Sequence, residues 1–570
     1  MNRRVKPKPS GVSVASRLPK GGPQGGQSAV GQIDLPPAPF LVRRGSLAGW
    51  YLCLTLALFL PACGNDGGGD GGNNGPAAIS TLAYVVTICD QPAGHGLATF
   101  QQALWVRQGE REPVKVMELP AVPMPLCRTL ADTRDGSNSL FAGAFQRMGV
   151  SPDGAVVLFE VTYDFSPFRF EPWAKLPPEQ EGIFLVHGDG TGLRKVGPNS
   201  QQPGFALDPA CYIPGTDCAG GTASASFDFS PDRKLVALTD RGPDNTGKMS
   251  AQVFTLNLAS GAREQVTTLP PLPRCGTPAA AQGKGTGPVA LRHGRGPASS
   301  ATVDRCTPSP SDDECLPREL VPIHFPRFID ARTIAFYRPS AQDRFGTPFT
   351  VTTDTKELCE IPRVAIGQGV FVPVFGITGD PIGFTNGVPG TPVNGSGPYG
   401  NSVTEAFVTD GTNIVQITRF GRSETVNTRV TLDRTRVIFE GSPNPPELDT
   451  NPRNYCQVFS AGVLGGDVRQ VTFFGTDAPG CNCGAAECRP PACTGTGFYD
   501  SIDWGTGSYV FGSSCDPSGA NPTLVGQIFA LRPDGSSLRQ LTFTRGIEES
   551  ADGSLHVELA GPFAVATRLR

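Results

Sequence analysis

Four cysteines crowd into thirteen residues as Cys481, Cys483, Cys488 and Cys493, and soft thiols at such density are the first place to look for chemistry in this chain. A structural zinc site wants four tetrahedral ligands, commonly delivered as C-x-x-C pairs or with histidines at fixed spacing. Here the spacing is irregular and no histidine is near, so the cluster reads as disulfides and not as a metal site. The five histidines, His95, His187, His293, His324 and His556, are scattered without H-x-H or H-x-x-x-H spacing, and no metal or other cofactor is expected. No G-x-S-x-G nucleophile elbow occurs, so catalytic residues are expected to be absent. Asp228, Asp330 and Asp503 stand beside predicted strands, where carboxylates from different strands could meet as an acid–base set, although Asp in such positions is also an ordinary turn cap.

The sixteen cysteines exceed what a reduced cytosol tolerates without metal, which points to an oxidising compartment. Candidate disulfide partners are Cys89, Cys127, Cys211, Cys218, Cys275, Cys306, Cys315, Cys481, Cys483, Cys488 and Cys493, with Cys89–Cys127 and Cys211–Cys218 as the local pairs. Sequence alone does not fix the connectivity. An export address agrees with this. Arg43 and Arg44 precede an apolar run, Trp50 to Leu60, that is short for a membrane span and right for a signal-peptide core. It ends in Leu60-Pro61-Ala62-Cys63-Gly64, which resembles a bacterial lipobox, with Pro61 departing from the usual small residue. That resemblance implies cleavage before Cys63 and lipidation of its thiol. With Cys53 removed and Cys63 lipidated, fourteen cysteines remain, an even number.

The boundaries follow from composition. Residues 1–40 are Pro/Gly-rich and read as a disordered extension, as if translation starts near Leu41 or Val42; 41–62 is the signal peptide. Residues 63–78, containing NDGGGDGGNNG, form a flexible tether, and 79–570 is the folded body. Two acyl chains suffice for stable anchoring, so the expected partner is a membrane reached through lipid, and Gly64 after the cysteine favours the outer membrane of a bacterial envelope. A formal net charge of -4 with no basic stripe excludes nucleic acid as the expected partner.

What must position all of these residues is a repeat. With 71 glycines, 55 prolines and only 18% charged residues, the body predicts short strands joined by turns. One half-unit is strand, tight turn, strand and a closing Thr: Val253-Phe254-Thr255-Leu256 with Gln265-Val266-Thr267, and again at Ala406 to Thr418, Val458 to Thr472 and Ile528 to Thr542, with a relative at Ile183 to Val196. The other half-unit carries Ser151-Pro152-Asp153-Gly154 or Ser230-Pro231-Asp232-Arg233 between two apolar strands, with weaker copies around Asp330 and Asp433. Each half-unit is a β-hairpin, so a whole unit is a four-stranded antiparallel sheet.

The pair of half-units resembles the SPDG repeats of TolB-like β-propellers from about Thr81 to Arg570. The resemblance implies an all-β propeller of four-stranded blades. Six blades follow from the resemblance, whereas counting half-units favours seven; the unpaired half-unit at Ala551 to Leu559 would close the ring by pairing the chain's two ends. It also implies a binding protein of the cell envelope that holds a protein or peptide partner. A propeller enzyme acting on glycans or peptides in the channel is the alternative. Long polar insertions at 199–225, 271–322, 387–402 and 476–499 separate the units.

Overall fold

The computed structural model divides the chain into two units, 1–72 and 73–570. It describes residues 79–566 except 95, 125–126, 129–144, 162–178, 200–226, 270–323, 339–346, 361–362, 366–370, 374–381, 390–401, 410–413, 422–424, 443–447 and 476–499. The extension, the signal peptide, the tether and most of the insertions lie outside the described residues, as does Cys63.

Every named element among the described residues is a β-strand. The chain opens with β1 (Thr81–Gln91), β2 (Ala98–Gln108), β3 (Val114–Glu118) and β4 (Val122–Met124). Then come β5 (Phe145–Val150), β6 (Val156–Val161), β7 (Gly182–His187) and β8 (Arg194–Gly197), followed by β9 (Asp228–Phe229), β10 (Leu235–Pro243), β11 (Met249–Asn257) and β12 (Arg263–Gln265). The middle holds β13 (His324–Phe328), β14 (Thr333–Arg338), β15 (Thr347–Thr352), β16 (Leu358–Glu360), β17 (Arg363–Ala365), β18 (Phe371–Pro373), β19 (Ile382–Pro389), β20 (Ser402–Thr409) and β21 (Ile414–Gln416). Last are β22 (Thr425–Val430), β23 (Arg436–Gly441), β24 (Gln457–Gly462), β25 (Arg469–Gln470), β26 (Asp500–Ile502), β27 (Tyr509–Ser513), β28 (Gln527–Leu531), β29 (Arg539–Gln540), β30 (Gly546–Glu549) and β31 (Leu555–Val565).

Five four-stranded antiparallel meanders result among the described residues: β5–β8, β9–β12, β13–β16, β22–β25 and β26–β29. A three-stranded sheet, β19–β21, and a two-stranded one, β17–β18, complete the middle. The remaining sheet has the order β3-β2-β1-β31-β30, so the first and last long strands pair along their length, from Leu82↔Val565 to Gln91↔Leu555. The half-unit read at 551–559 falls on the β30–β31 turn, and the strand after that turn runs on to Val565 as the partner of β1.

The SPDG hairpins are built as turn chemistry dictates. Ser151 donates its hydroxyl to Asp153 (2.7 Å) and accepts the Val156 N–H (2.9 Å); Ser230 does the same with Asp232 (2.7 Å) and Leu235 (3.0 Å). The fourth turn residue sits at positive φ, +70° at Gly154 and +59° at Arg233 and Arg434, where only glycine is free of strain. At the middle of the sheets a phenylalanine on the second strand faces one on the third. Phe159–Phe184, Phe336–Phe349, Phe439–Phe459 and Phe511–Phe529 are register partners, stacked with centroids 5.5, 5.7, 5.8 and 5.8 Å apart. Such cross-strand aromatic pairs contribute roughly 0.5–1.5 kcal/mol each beyond area burial.

Central strands such as β28 are buried at every residue, because both faces of the sheet are covered. Where apolar clusters join the sheets among the described residues, which they do at every step except from β13–β16 to β19–β21, the covering is by the neighbouring sheet in chain order. One apolar cluster joins β1, β2 and β31 to β5–β7, another joins β6–β8 to β9–β11, and a third joins β10–β12 to β13–β15. Further along, clusters join β20–β21 to β23–β24, β23–β25 to β26–β28, and β27–β28 back to β1 and β31.

A second contact repeats with them. The glycine in the turn between third and fourth strands lies against a branched residue on, or just after, the outer strand of the preceding sheet: Gly190 on Val114, Gly261 on Val196 and Gly535 on Val471. A Cβ at Gly535 would stand 2.3 Å from Val471 Cγ1, at a φ of +85°. Gly535→Ala is therefore expected to destabilise the protein by about 1–3 kcal/mol, from backbone strain and overpacking together, as read by urea unfolding.

Candidate functional site

The three aspartates offered by the sequence are not brought together as an acid–base set; each has a different structural fate. Asp330 is exposed and caps its own turn, accepting the N–H groups of Arg332 (2.7 Å) and Thr333 (2.8 Å). Asp503 is buried and holds two things at once: its own turn through the Thr506 hydroxyl (2.6 Å) and the start of β1 through the Ser80 N–H (2.9 Å) and hydroxyl (2.5 Å). Burial pushes its carboxyl up, against the pull of those hydrogen bonds. Asp228 corrects the turn-cap reading. It is buried on β9 and accepts the N–H of Phe328 on β13, so it ties the innermost strands of two neighbouring sheets. Burial pushes its pKa to about 7, opposed by the Phe328 N–H and by Arg327.

The seam between chain ends is fastened by backbone as well. Trp504 N–H donates to Ala566 C=O (2.7 Å), Ala566 bridges Val150, and Thr81 donates its hydroxyl to Gly154 C=O (2.8 Å). Arg539 of β29 reaches Glu110 in the β2–β3 turn (2.7 Å), which holds the Glu110 carboxyl below its usual range.

A buried polar clip recurs that the sequence reading did not single out. The Gln before the apolar pair on the third strand accepts the hydroxyl of the Thr that closes the half-unit, and that hydroxyl in turn accepts a third-strand N–H. Thr267–Gln252 (2.8 Å), Thr472–Gln457 (2.9 Å) and Thr542–Gln527 (2.7 Å) share the arrangement. The signal was in the sequence as Q-V-F, Q-V-F and Q-I-F paired with Q-V-T, Q-V-T and Q-L-T. In the sheet β19–β21 a glutamate takes the place of the glutamine: Glu405 accepts the Thr418 hydroxyl and the Gly421 N–H (2.7 Å). It is fully buried, and burial pushes its carboxyl up.

Since the folded-state pKa is raised, this carboxyl stabilises the fold while protonated and that contribution is lost as pH rises through the folded value. Glu405→Gln is expected to flatten the pH dependence and to gain about 1 kcal/mol at pH 8, the scale of one buried polar mismatch, in urea melts run at pH 5 and pH 8.

Among the basic groups, Arg147 on β5 is buried with Glu160 on β6 (Nε to Oε2, 3.4 Å) and donates to the C=O (3.0 Å) and hydroxyl (3.1 Å) of Thr239 on β10. It spans two sheets. His187 is exposed at the end of β7 beside Thr191, His556 pairs with Asp90 across the β1–β31 seam, and His324 is on β13; His95 and His293 lie outside the described residues.

Cys89 and Cys127 are joined by a disulfide. Cys359, Cys456 and Cys515 are disulfide-bonded too, and the sequence reading had not named them. Cys211, Cys218, Cys275, Cys306, Cys315, Cys481, Cys483, Cys488 and Cys493 lie outside the described residues. Among the described residues no group of three or more His, Cys, Asp or Glu is placed to hold a metal ion.

Antiparallel four-stranded sheets packed face to face in chain order, with the first and last long strands in one sheet, define the class: an all-β protein of the β-propeller type. Solved structures similar to it include TolB from Acinetobacter baumannii, at 13% identity over 85% of this chain and 83% of that one, with a TM-score of 0.30. The β-propeller domain of the Trilobed protease from Pyrococcus furiosus is similar at 10% identity over 75% and 98%, TM-score 0.33. Pyrococcus horikoshii acylaminoacyl peptidase is similar at 10% over 82% of this chain, TM-score 0.36, and this chain spans about half (52%) of its length. The class rests on the strand pairing and inter-sheet clusters above, not on these likenesses. No protein-family model matches the chain, and no curated protein matches it.

Proposed function

We propose that this chain is a lipid-anchored binding protein of the bacterial cell envelope, cut before Cys63 and tethered there on the outer membrane. Its body is a seven-bladed propeller, one blade for each sheet other than the β17–β18 hairpin, closed by the pairing of β1 with β31. It holds a protein or peptide partner and uses no cofactor. The observation that supports binding over catalysis is the employment of the buried carboxylates: Asp228, Asp503 and Glu405 each accept hydrogen bonds that hold strand to strand or sheet to sheet. An acid or base serving a substrate must keep its oxygens for the reacting atoms.

Mass spectrometry of the mature N-terminal peptide tests the anchor. Lipid on an N-terminal Cys63, with the Cys63→Ala variant lost from the membrane fraction, is the expected result; an uncleaved or unlipidated terminus would overturn it.

A further inference from the structure

In the five four-stranded meanders the first strand is an edge of its sheet. The sheet that holds both ends of the folded body differs. Ser80 C=O accepts the Gly109 N–H (3.0 Å) as Ala155 C=O accepts the Gly188 N–H (2.8 Å), which makes β1 the counterpart of the second strand β6 and β31 the counterpart of the first. β30 is therefore an addition beyond the first strand. It pairs with 555–558 of β31, which pair in turn with 88–91 of β1, and the Cys89–Cys127 disulfide fastens the same part of the sheet.

The outer edge of β30 has open backbone groups. Ser550 N–H donates to Ser554 C=O (2.9 Å), so in this register the next hydrogen-bonded pairs are Glu548 with His556 and Gly546 with Glu558. Ile547 and Glu549 alternate with them, and their N–H and C=O groups point away from β31. Among the described residues no backbone partner meets either of them. Side chains alternate in the same way. Ile547 is on the face where Val525, Leu555 and Val557 pack, and Glu548 is on the other, in register with His556 and, across it, Asp90.

An edge with unpaired donors and acceptors is a template for one more strand. Charge decides which strand. Asp90, Glu548, Glu549, Asp552 and Glu558 stand on β30, its turn and the strands beside it, against Arg128, Arg545 and His556. The pairs Arg128–Glu549 (3.0 Å) and Arg545–Glu548 (2.7 Å) are exposed, so an incoming cation displaces them at small cost. A second copy of β30 would instead bring glutamates against glutamates. We infer that the open edge of β30 is a strand-addition site for an extended partner segment in which basic and apolar residues alternate, the basic ones over Glu548 and Asp90 and the apolar ones beside Ile547. This deepens the binding reading above and rests on it.

Fluorescence anisotropy of a labelled peptide alternating lysine and valine, titrated with the purified mature protein, tests the inference. Saturable binding is expected, weakened about ten-fold when the peptide is N-methylated throughout or carries glutamate for lysine. Glu549→Pro removes an outward N–H and leaves the bonds to β31 intact, so it should weaken binding about five-fold relative to Glu549→Gln, with an unchanged urea midpoint. Glu548→Lys, at an exposed position, should weaken it by a similar factor. Equal binding of the N-methylated peptide, or undiminished binding by Glu548→Lys, overturns the inference. So does failure of the lysine–valine peptide to bind while in-cell crosslinking still captures a partner, which leaves the binding reading standing; failure of both removes both.

Discussion

Replacing Cys89 and Cys127 together by alanine is expected to destabilise the protein by about 4 kcal/mol, the loop-entropy value for a bridge of this separation. The pair spans 38 residues, with Cα atoms 5.6 Å apart. It draws the segment after β4 back onto β1, and Gln91 of β1 adds an acceptor for the Cys127 N–H (3.2 Å). Both sulfurs are buried with Phe100, Val122, Val525, Leu555 and Val557, so the bridge lies where β1 and β31 meet. Alanine keeps the site apolar, and the loss is therefore mainly in the unfolded chain, which gains freedom when the loop opens. Urea unfolding of the double variant beside the parent, both without reductant, reads the effect directly.

Asp228→Asn is expected to act in the other direction, and only at the higher pH. The parent carboxyl has a folded pKa of about 7, well above that of an unfolded aspartate. A raised folded value means that the native state holds the extra proton, so its contribution is complete below the unfolded pKa and disappears as pH climbs through 7. Three pH units correspond to about 4 kcal/mol at most, and water reaching the site would reduce that. Asparagine keeps an oxygen for the Phe328 N–H and removes the charge. The variant should match the parent near pH 4 and exceed it by about 2–4 kcal/mol at pH 8.5. Asp228→Ala, which strands the Phe328 N–H, should instead lose about 1–3 kcal/mol near pH 4 and stay below Asp228→Asn by the same margin at pH 8.5.

How far the sequence could be read depended on whether a feature was local. The Ser-Pro-Asp-Gly turn is a property of six consecutive residues, and the hydrogen bonds at Ser151 and Ser230 are those its composition implies. Four-stranded sheets followed from joining two such hairpins. The fates of Asp228 and Asp503 did not, because they depend on which neighbour lies across the sheet-to-sheet gap: Phe328 is 100 residues from Asp228, and Ser80 is 423 from Asp503. Glu405 is visible in the sequence only by aligning the repeats on the glutamine that Gln252, Gln457 and Gln527 supply. Cys359, Cys456 and Cys515 lie on or beside strands and outside the cysteine-bearing insertions, so their spacing carries no local sign of pairing.

The Gln–Thr clips, the Phe pairs and the glycine contacts repeat from sheet to sheet, which makes the frame a stack of near-equivalent units with its polar groups largely spent on itself. On the proposed binding reading, function belongs to the ends of the sheets and not to the frame.

In-cell photocrosslinking of the tagged lipoprotein, followed by mass spectrometry of what it captures, tests the binding account most directly. The account predicts a reproducible protein or peptide partner whose capture falls when Cys63→Ala removes the anchor. Absence of any partner above that control, with purified protein that cleaves a glycan or peptide and loses the activity on Asp228→Asn, would contradict it.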